Sequence, residues 1–359
     1  MAVPLFDNSS PLRPLREQLR EAVARVLDSE RYILGPEVSA FERELAAYCG
    51  VDHAVGVANG TDAITIALRA MGVGPGDDVV VPSFTFYASV EAIAPTGARP
   101  VFCDIDARTY CVTAETVRAA LTPRTKAVIA VHLFGNVAPV PEIAALGVPV
   151  LEDAAQAAGS DSPAGRPGAL GAAGTFSFYP SKNLACFGDG GAIVTSDPEL
   201  AQRARILRFH GSRDKVGYEA LGYNSRLDEL QAAVLRVQLP HLDAWARGRR
   251  EAERLYREAG LAELAQLPLA ERGVAPAWHV YAIAHRHVDA LQAALQAAGV
   301  GCKPYYRTPV HRQPPMREWG EGVELPATEQ AARAHLAIPM SPLLTTAQAE
   351  EVVAAARPA

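Results

Sequence analysis

Between positions 53 and 151 the chain alternates short β-branched apolar runs with segments of helical spacing, and few folds accept such a pattern. The runs are AVGVA (54–58), DVVVP (78–82), ARPVFCD (98–104), KAVIAVH (126–132) and VPVL (148–151). Between them, 62–71 and 83–95 carry helical spacing. A strand that is apolar on both of its faces needs cover on both, which a helix on each side of a largely parallel sheet provides. The expectation is an α/β fold with a mostly parallel central sheet.

The flanking segments complete this picture. Apolar spacing predicts helices over 14–29 and 38–48 before the first strand. After the loop at 176–192, AIVTSD (192–197) reads as a strand, followed by a helix over 199–209 and a polar, glycine-rich loop over 211–224. Helices are expected at 226–239 and 242–259. Beyond Gly260 the segments are punctuated by proline: a strand HVYAIAHR (279–286), a helix at 288–298, the run CKPYYRTPVHRQPP (302–315), and helices at 328–336 and 345–356. This divides the 359 residues into a large domain over 1–241 and a smaller C-terminal α/β domain over 242–359.

The formal net charge of −6 supplies no basic field for nucleic acid or an anionic membrane. The N-terminal residues lack a signal-peptide pattern, and no apolar run approaches the roughly 20 residues that span a bilayer. A cytoplasmic protein is expected. Five widely spaced cysteines without a C-x-x-C pair indicate neither a disulfide framework nor a zinc site, and no metal is expected.

Three constellations carry chemistry. Asn59-Gly60-Thr61-Asp62 follows the first strand and opens a helix, where free N–H groups and the positive dipole end suit a phosphate, although a plain helix cap looks the same. Strand 148–151 ends in Glu152 and Asp153, at the sheet edge where α/β folds bind ligands; alternation points Asp153 into a site and Glu152 away. A helix cap is the alternative there. In FSFYPSKNLACFGDGGA (176–192), Lys182 sits on a tight loop between apolar segments, and burial would lower its pKa and make it a usable nucleophile. A solvated surface lysine is the bland reading. A phosphate-ready helix, a strand-end acid and a loop lysine on one edge describe a pyridoxal phosphate site.

The chain resembles the DegT/DnrJ/EryC1/StrS family of sugar-nucleotide aminotransferases, fold-type-I pyridoxal phosphate enzymes. The resemblance rests on GPEVSAFERELAAYCG, VANGTDAITIALRAMGVGPGDDVVVPSFTF, VHLFGN, LEDAAQAAG, FSFYPSKNLACFGDGGA, YNSRLDELQAAVL and TPVHRQ, in the family's order over nearly the whole length. It implies that Lys182 bonds the cofactor, Asp153 holds the pyridine nitrogen protonated, and Gln156 bonds the phenolic oxygen. Phe86 would stack on the ring, while Gly60 and Thr61, the Asp62 backbone and Ser177 take the phosphate. Asn224 would reach the phosphate of a neighbouring subunit and so require a homodimer. Without that role, Asn224 is an N-cap for helix 226–239.

The resemblance further implies L-glutamate as amino donor and a dTDP- or UDP-linked keto sugar as acceptor. The KNL-x-x-F-GDGGA form of the lysine loop is similar to members that act at C3. A 4-keto sugar, a cyclitol, or a non-catalytic regulatory role are the alternatives. For the substrate, Arg226, Tyr306, Arg307 and His311 are candidates, with Lys303 and Arg312 beside them for the diphosphate. The chain departs from many relatives at Ala158, at Ala185, and at Tyr305-Tyr306-Arg307 ahead of His311.

Overall fold

The computed structural model describes residues 3–7 and 9–358. Among them, seven strands form the central sheet: β1 (His53–Val57), β2 (Asp78–Pro82), β3 (Arg99–Cys103), β4 (Thr125–Val131), β5 (Val150–Asp153), β6 (Ala173–Ser177) and β7 (Gly191–Thr195). Their order is β1-β7-β6-β5-β4-β2-β3; the pairs from β6 to β3 are parallel, and β7 runs antiparallel to β6 and β1. The α/β architecture and mostly parallel sheet expected from the alternation are what forms.

Helices α1 (Arg16–Ser29) and α2 (Pro36–Cys49) precede the sheet. Within and just after it come α3 (Gly60–Ala70), α4 (Ala88–Glu91), α5 (Ala114–Ala120), α6 (Val140–Ala144) and α7 (Pro198–Arg208). The chain continues through α8 (Glu229–Gln238) and α9 (Leu242–Glu258) into β8 (Tyr281–Ala284), α10 (Val288–Ala297), α11 (Arg317–Gly320), α12 (Pro326–Ala334), β9 (His335–Ile338) and α13 (Thr346–Ala356). Strands β8 and β9 pair antiparallel as a separate two-stranded sheet.

Every residue of β2 and β7 is buried because both sheet faces are covered. On one face Val79, Val81, Ile129 and Leu151 pack with Ile64, Ile66 and Leu68 of α3. On the other, Val80, Val128 and Val150 pack against Val117 and Val140. Each such side chain contributes roughly 2 kcal/mol by leaving water.

Three helices differ from their expected extent. The segment 83–95 is helical only over Ala88–Glu91, with a 3-10 turn at Ala94–Thr96, because residues 83–87 run irregularly along the sheet edge. The helix expected from 226 begins at Glu229, with Asp228 at its N-cap, so Asn224 does not cap it. The last two residues of the helix expected over 328–336 belong to β9, where pairing with β8 overrides helical spacing. No helix among the described residues is long and apolar enough to cross a membrane.

Candidate active site

The carboxyl ends of β1, β5 and β6 converge on a cavity of about 390 Å3. Strand β1 leads to Asn59, whose Oδ1 accepts the Asp62 N–H at 2.8 Å while its carbonyl accepts the Ala63 N–H. Asn59 is therefore the cap of α3, and the Asp62 N–H expected to meet a phosphate is already engaged. The N–H groups of Gly60 and Thr61, both lining the cavity, have no acceptor among the described residues. Only glycine fits at position 60, since a Cβ there would lie 2.7 Å from the Ser177 Cβ. The end of β6 thus brings Ser177 against the helix N-terminus.

The two carboxylates that end β5 face opposite ways, as alternation requires. Glu152 accepts the backbone N–H groups of Gly168, Leu170 and Gly171 at 2.7–2.8 Å and a hydrogen bond from His132 Nε2 at 2.8 Å. The other carboxylate, Asp153, lines the cavity, accepting Ser89 Oγ at 2.7 Å and the Ala155 N–H at 3.1 Å.

Lys182 enters from the loop between β6 and β7. Its N–H donates to the Tyr179 carbonyl at 2.8 Å, and Phe178 N–H to Gly190 O closes the loop base. The GDGG run has a packing reason: a Cβ on Gly191 would lie 2.4 Å from the Asn59 carbonyl, so glycine lets the loop's return strand touch the cap of α3. Burial lowers the Lys182 pKa from its ordinary 10.5 to about 8, although the nearby Asp153 charge pulls it up.

The remaining walls are aromatic and polar. Phe84 is fully buried, whereas Phe86 is 55% exposed and lines the cavity, its ring 6.3 Å from that of Tyr306. Gln156 Oε1 accepts the Phe134 N–H at 2.7 Å, which turns its amide nitrogen toward the Tyr306 hydroxyl, 3.0 Å away. Ser89 and His279 are among the lining residues that the sequence reading did not name. Ser89 lies four positions after Thr85, a helical spacing that could have marked it. His279 lies 97 positions after Lys182 in the chain, and nothing local announced it; burial, with the charges of Lys182 and Arg249, holds its imidazole neutral, far below the ordinary range.

Of the substrate candidates, Tyr306 and Lys303 line this cavity. His311 does not: it is 2% exposed, with Nδ1 2.6 Å from Ser83 Oγ and Nε2 3.2 Å from Glu329. Arg307 pairs with Asp289 and Arg312 with Glu329, each at 2.8 Å. Asn224 and Arg226 bond each other beside Phe209, outside this chain's cavity.

These residues fit pyridoxal phosphate. Two free N–H groups at a helix start suit its phosphate, a lysine with lowered pKa suits its aldehyde, and a buried carboxylate suits its ring nitrogen. A mostly parallel sheet presenting that set on its carboxyl edge defines a fold-type-I pyridoxal phosphate-dependent enzyme. The sequence profile of the DegT/DnrJ/EryC1/StrS aminotransferase family matches residues 14–357, and the chain belongs to that family. It is 46% identical over 364 positions, covering 99% of this chain and 95% of the relative, to a dTDP-3-amino-3,4,6-trideoxy-alpha-D-glucose transaminase of Streptomyces venezuelae. It is 44% identical over 362 positions, covering 98% and 97%, to a protein of Geobacillus stearothermophilus named pleiotropic regulatory protein. The solved structure of DesV from S. venezuelae superposes with a TM-score of 0.95 at 45% identity, covering 99% of this chain and 98% of that one. The chain is a pyridoxal phosphate-dependent aminotransferase.

Proposed function

We propose that this enzyme moves an amino group from L-glutamate to C3 of a dTDP- or UDP-linked keto sugar, as a cytoplasmic homodimer. The observation that carries the reading is the meeting of Lys182, Asp153 and the free N–H groups of Gly60 and Thr61 on one cavity. The C3 assignment is supported by the relative named as a 3-amino-sugar transaminase and by the GDGGA form of the lysine loop. Residues 1–241 carry the cofactor-binding half in this reading, and 242–359 form the smaller domain.

Pyridoxal phosphate supplies an aldehyde that bonds amines and a ring that withdraws electrons from the bonded carbon. The protein's part is to hold and protonate. Asp153 would hold the proton on the ring nitrogen, Gln156 Nε2 would donate to the phenolic oxygen, and Phe86 would pack on the ring. Gly60, Thr61 and Ser177 would bind the phosphate. Lys182 would anchor the aldehyde, and its free Nζ would serve as the base that moves a proton from the donor Cα. A pKa of about 8 leaves a usable fraction of that amine neutral near pH 7–8.

The homodimer reading rests on Asn224. It is exposed and outside its own cavity, at the base of a loop whose Val216, Tyr218 and Leu221 are 85%, 65% and 86% exposed. In a dimer Asn224 completes the partner's phosphate site, and the five free thiols suit a reducing compartment. Mixing inactive Lys182→Ala and Asn224→Ala proteins tests sharing, since reassorted dimers would hold one intact site and regain activity.

The chemistry is tested by incubating the pyridoxamine-loaded protein with dTDP- and UDP-linked 3-keto and 4-keto sugars and following product mass. Amination of a 3-keto sugar supports the proposal. Turnover confined to 4-keto sugars or cyclitols overturns the C3 assignment, and no bleaching of the yellow cofactor by L-glutamate overturns the donor.

A further inference from the structure

Asp153 does not stand alone in the cavity wall. Ser89 Oγ donates to Asp153 Oδ2 at 2.7 Å and lies 2.9 Å from Thr85 Oγ1. An ionised carboxylate only accepts, so the single hydroxyl proton of Ser89 is committed to Asp153, and Thr85 must be the donor to Ser89. The direction of the chain is thereby settled: Thr85 to Ser89 to Asp153. Ser89 is 1% and Thr85 2% exposed, which leaves little room for water to replace either bond.

The same turn also carries the ring-packing aromatic. Phe86 lies between the two hydroxyls in sequence, and the Ser89 N–H donates to the Phe86 carbonyl at 3.2 Å. One short segment therefore sets both the side chain on the ring face and the orientation of the acid. On the Asp153 side, Oδ1 is held by the Ala155 N–H at 3.1 Å, so each oxygen has one protein donor and the carboxylate cannot swing freely about its last bond.

We infer that Ser89, braced by Thr85, is a positioning residue: it orients the Asp153 carboxylate toward the cofactor's ring nitrogen and so sets cofactor affinity and the rate of proton removal from the donor. The inference rests on the reading that Asp153 faces that nitrogen. Neither residue is a reacting group; both act through Asp153.

The test uses the full-length protein as wild type, Ser89→Ala, Ser89→Thr, Thr85→Val, Asp153→Asn and the Ser89→Ala/Asp153→Asn pair. Two quantities are read: the Kd for pyridoxal phosphate by titration of the apoprotein, and the rate of absorbance loss on adding L-glutamate, whose limiting value and half-saturating concentration stand for kcat and KM of this half-reaction. A lost hydrogen bond to a charged group implies roughly tenfold weaker cofactor binding in Ser89→Ala, with kcat falling and KM for glutamate unchanged. Ser89→Thr, which keeps the hydroxyl, restores both, and Thr85→Val, which keeps the shape, gives a loss of about two- to threefold. On the Asp153→Asn background, Ser89→Ala adds less than about twofold, because residues that act through one another are not additive. Wild-type Kd and kcat in both Ser89→Ala and Thr85→Val, or full additivity in the pair, overturns the inference. Normal cofactor binding and turnover in Asp153→Asn alone instead overturns the reading of Asp153 on which it rests.

Discussion

Glu152 and His132 are hydrogen-bonded at 2.8 Å with both side chains fully buried, directly behind the acid that faces the cavity. His132 Nδ1 accepts the Ala138 N–H at 3.0 Å, so the ring proton sits on Nε2 and is donated to Glu152. With three backbone N–H groups as its other donors, Glu152 is an acceptor on every side. It ties residues 168–171 to the end of β5, and Asp153 inherits its direction from a strand end locked on its far face.

Glu152→Gln places an amide N–H against groups that only donate. Buried polar groups left without partners cost about 1–3 kcal/mol, more when several are involved. The expected outcome is a loss of about 3 kcal/mol in urea denaturation of the apoprotein. A change below about 0.5 kcal/mol contradicts the bracing role.

The Lys182 amine gives the apoprotein a defined pH dependence. Its folded pKa of about 8 lies below the unfolded 10.5, so between these values the unfolded chain binds more protons and stability rises with pH. The gain is about 3 kcal/mol across that window, and Lys182→Met removes it. Below pH 8 both states are charged and this contribution is flat. The rate of cofactor loading follows the neutral amine and rises through about pH 8, as stopped-flow absorbance measures. Asp153→Asn removes the charge that raises this pKa, and the midpoint moves lower.

Gly60→Ala tests the phosphate site. Its Cβ would meet the Ser177 Cβ at 2.7 Å, so either β6 or the start of α3 must shift. A displacement of the Gly60 and Thr61 N–H groups weakens pyridoxal phosphate binding by at least about tenfold, while the thermal midpoint of the apoprotein falls only modestly. Unchanged cofactor affinity shows that these N–H groups do not hold the phosphate.

Much of this fold was legible because near-continuous apolar strands admit few solutions, and the opposed directions of Glu152 and Asp153 follow from strand alternation. What was not legible depends on long-range partners. Glu229 of α8 caps α2 by accepting the N–H groups of Gly35, Glu37 and Val38, some 190 positions away in the chain. The capping role of Asn59 rather than Thr61 or Asp62 is a choice among three residues that all cap well. His279 reaches the cavity only because the chain ahead of β8 is folded against it, and no period in the sequence encodes that meeting.

His311 gives the sharpest divergence between motif and place. Its ring is closed off from the cavity, and it joins the end of β2 to the C-terminal part of the chain. Ser83 Oγ accepts the His311 N–H at 2.9 Å and donates to Nδ1, while the Ser83 carbonyl accepts the Val310 N–H at 3.0 Å. Glu329, itself paired with Arg312, accepts from Nε2, which leaves the imidazole neutral with Nδ1 free to accept. A residue so placed holds the Ser83–Ser89 segment, and its expected role is structural, not one in binding the sugar. His311→Ala is therefore expected to lower stability by about 2–3 kcal/mol through lost packing and an unpaired Ser83, and to leave KM for the nucleotide sugar within about twofold. Denaturation curves together with steady-state kinetics separate the two roles: a large rise in KM at unchanged stability returns His311 to the substrate site.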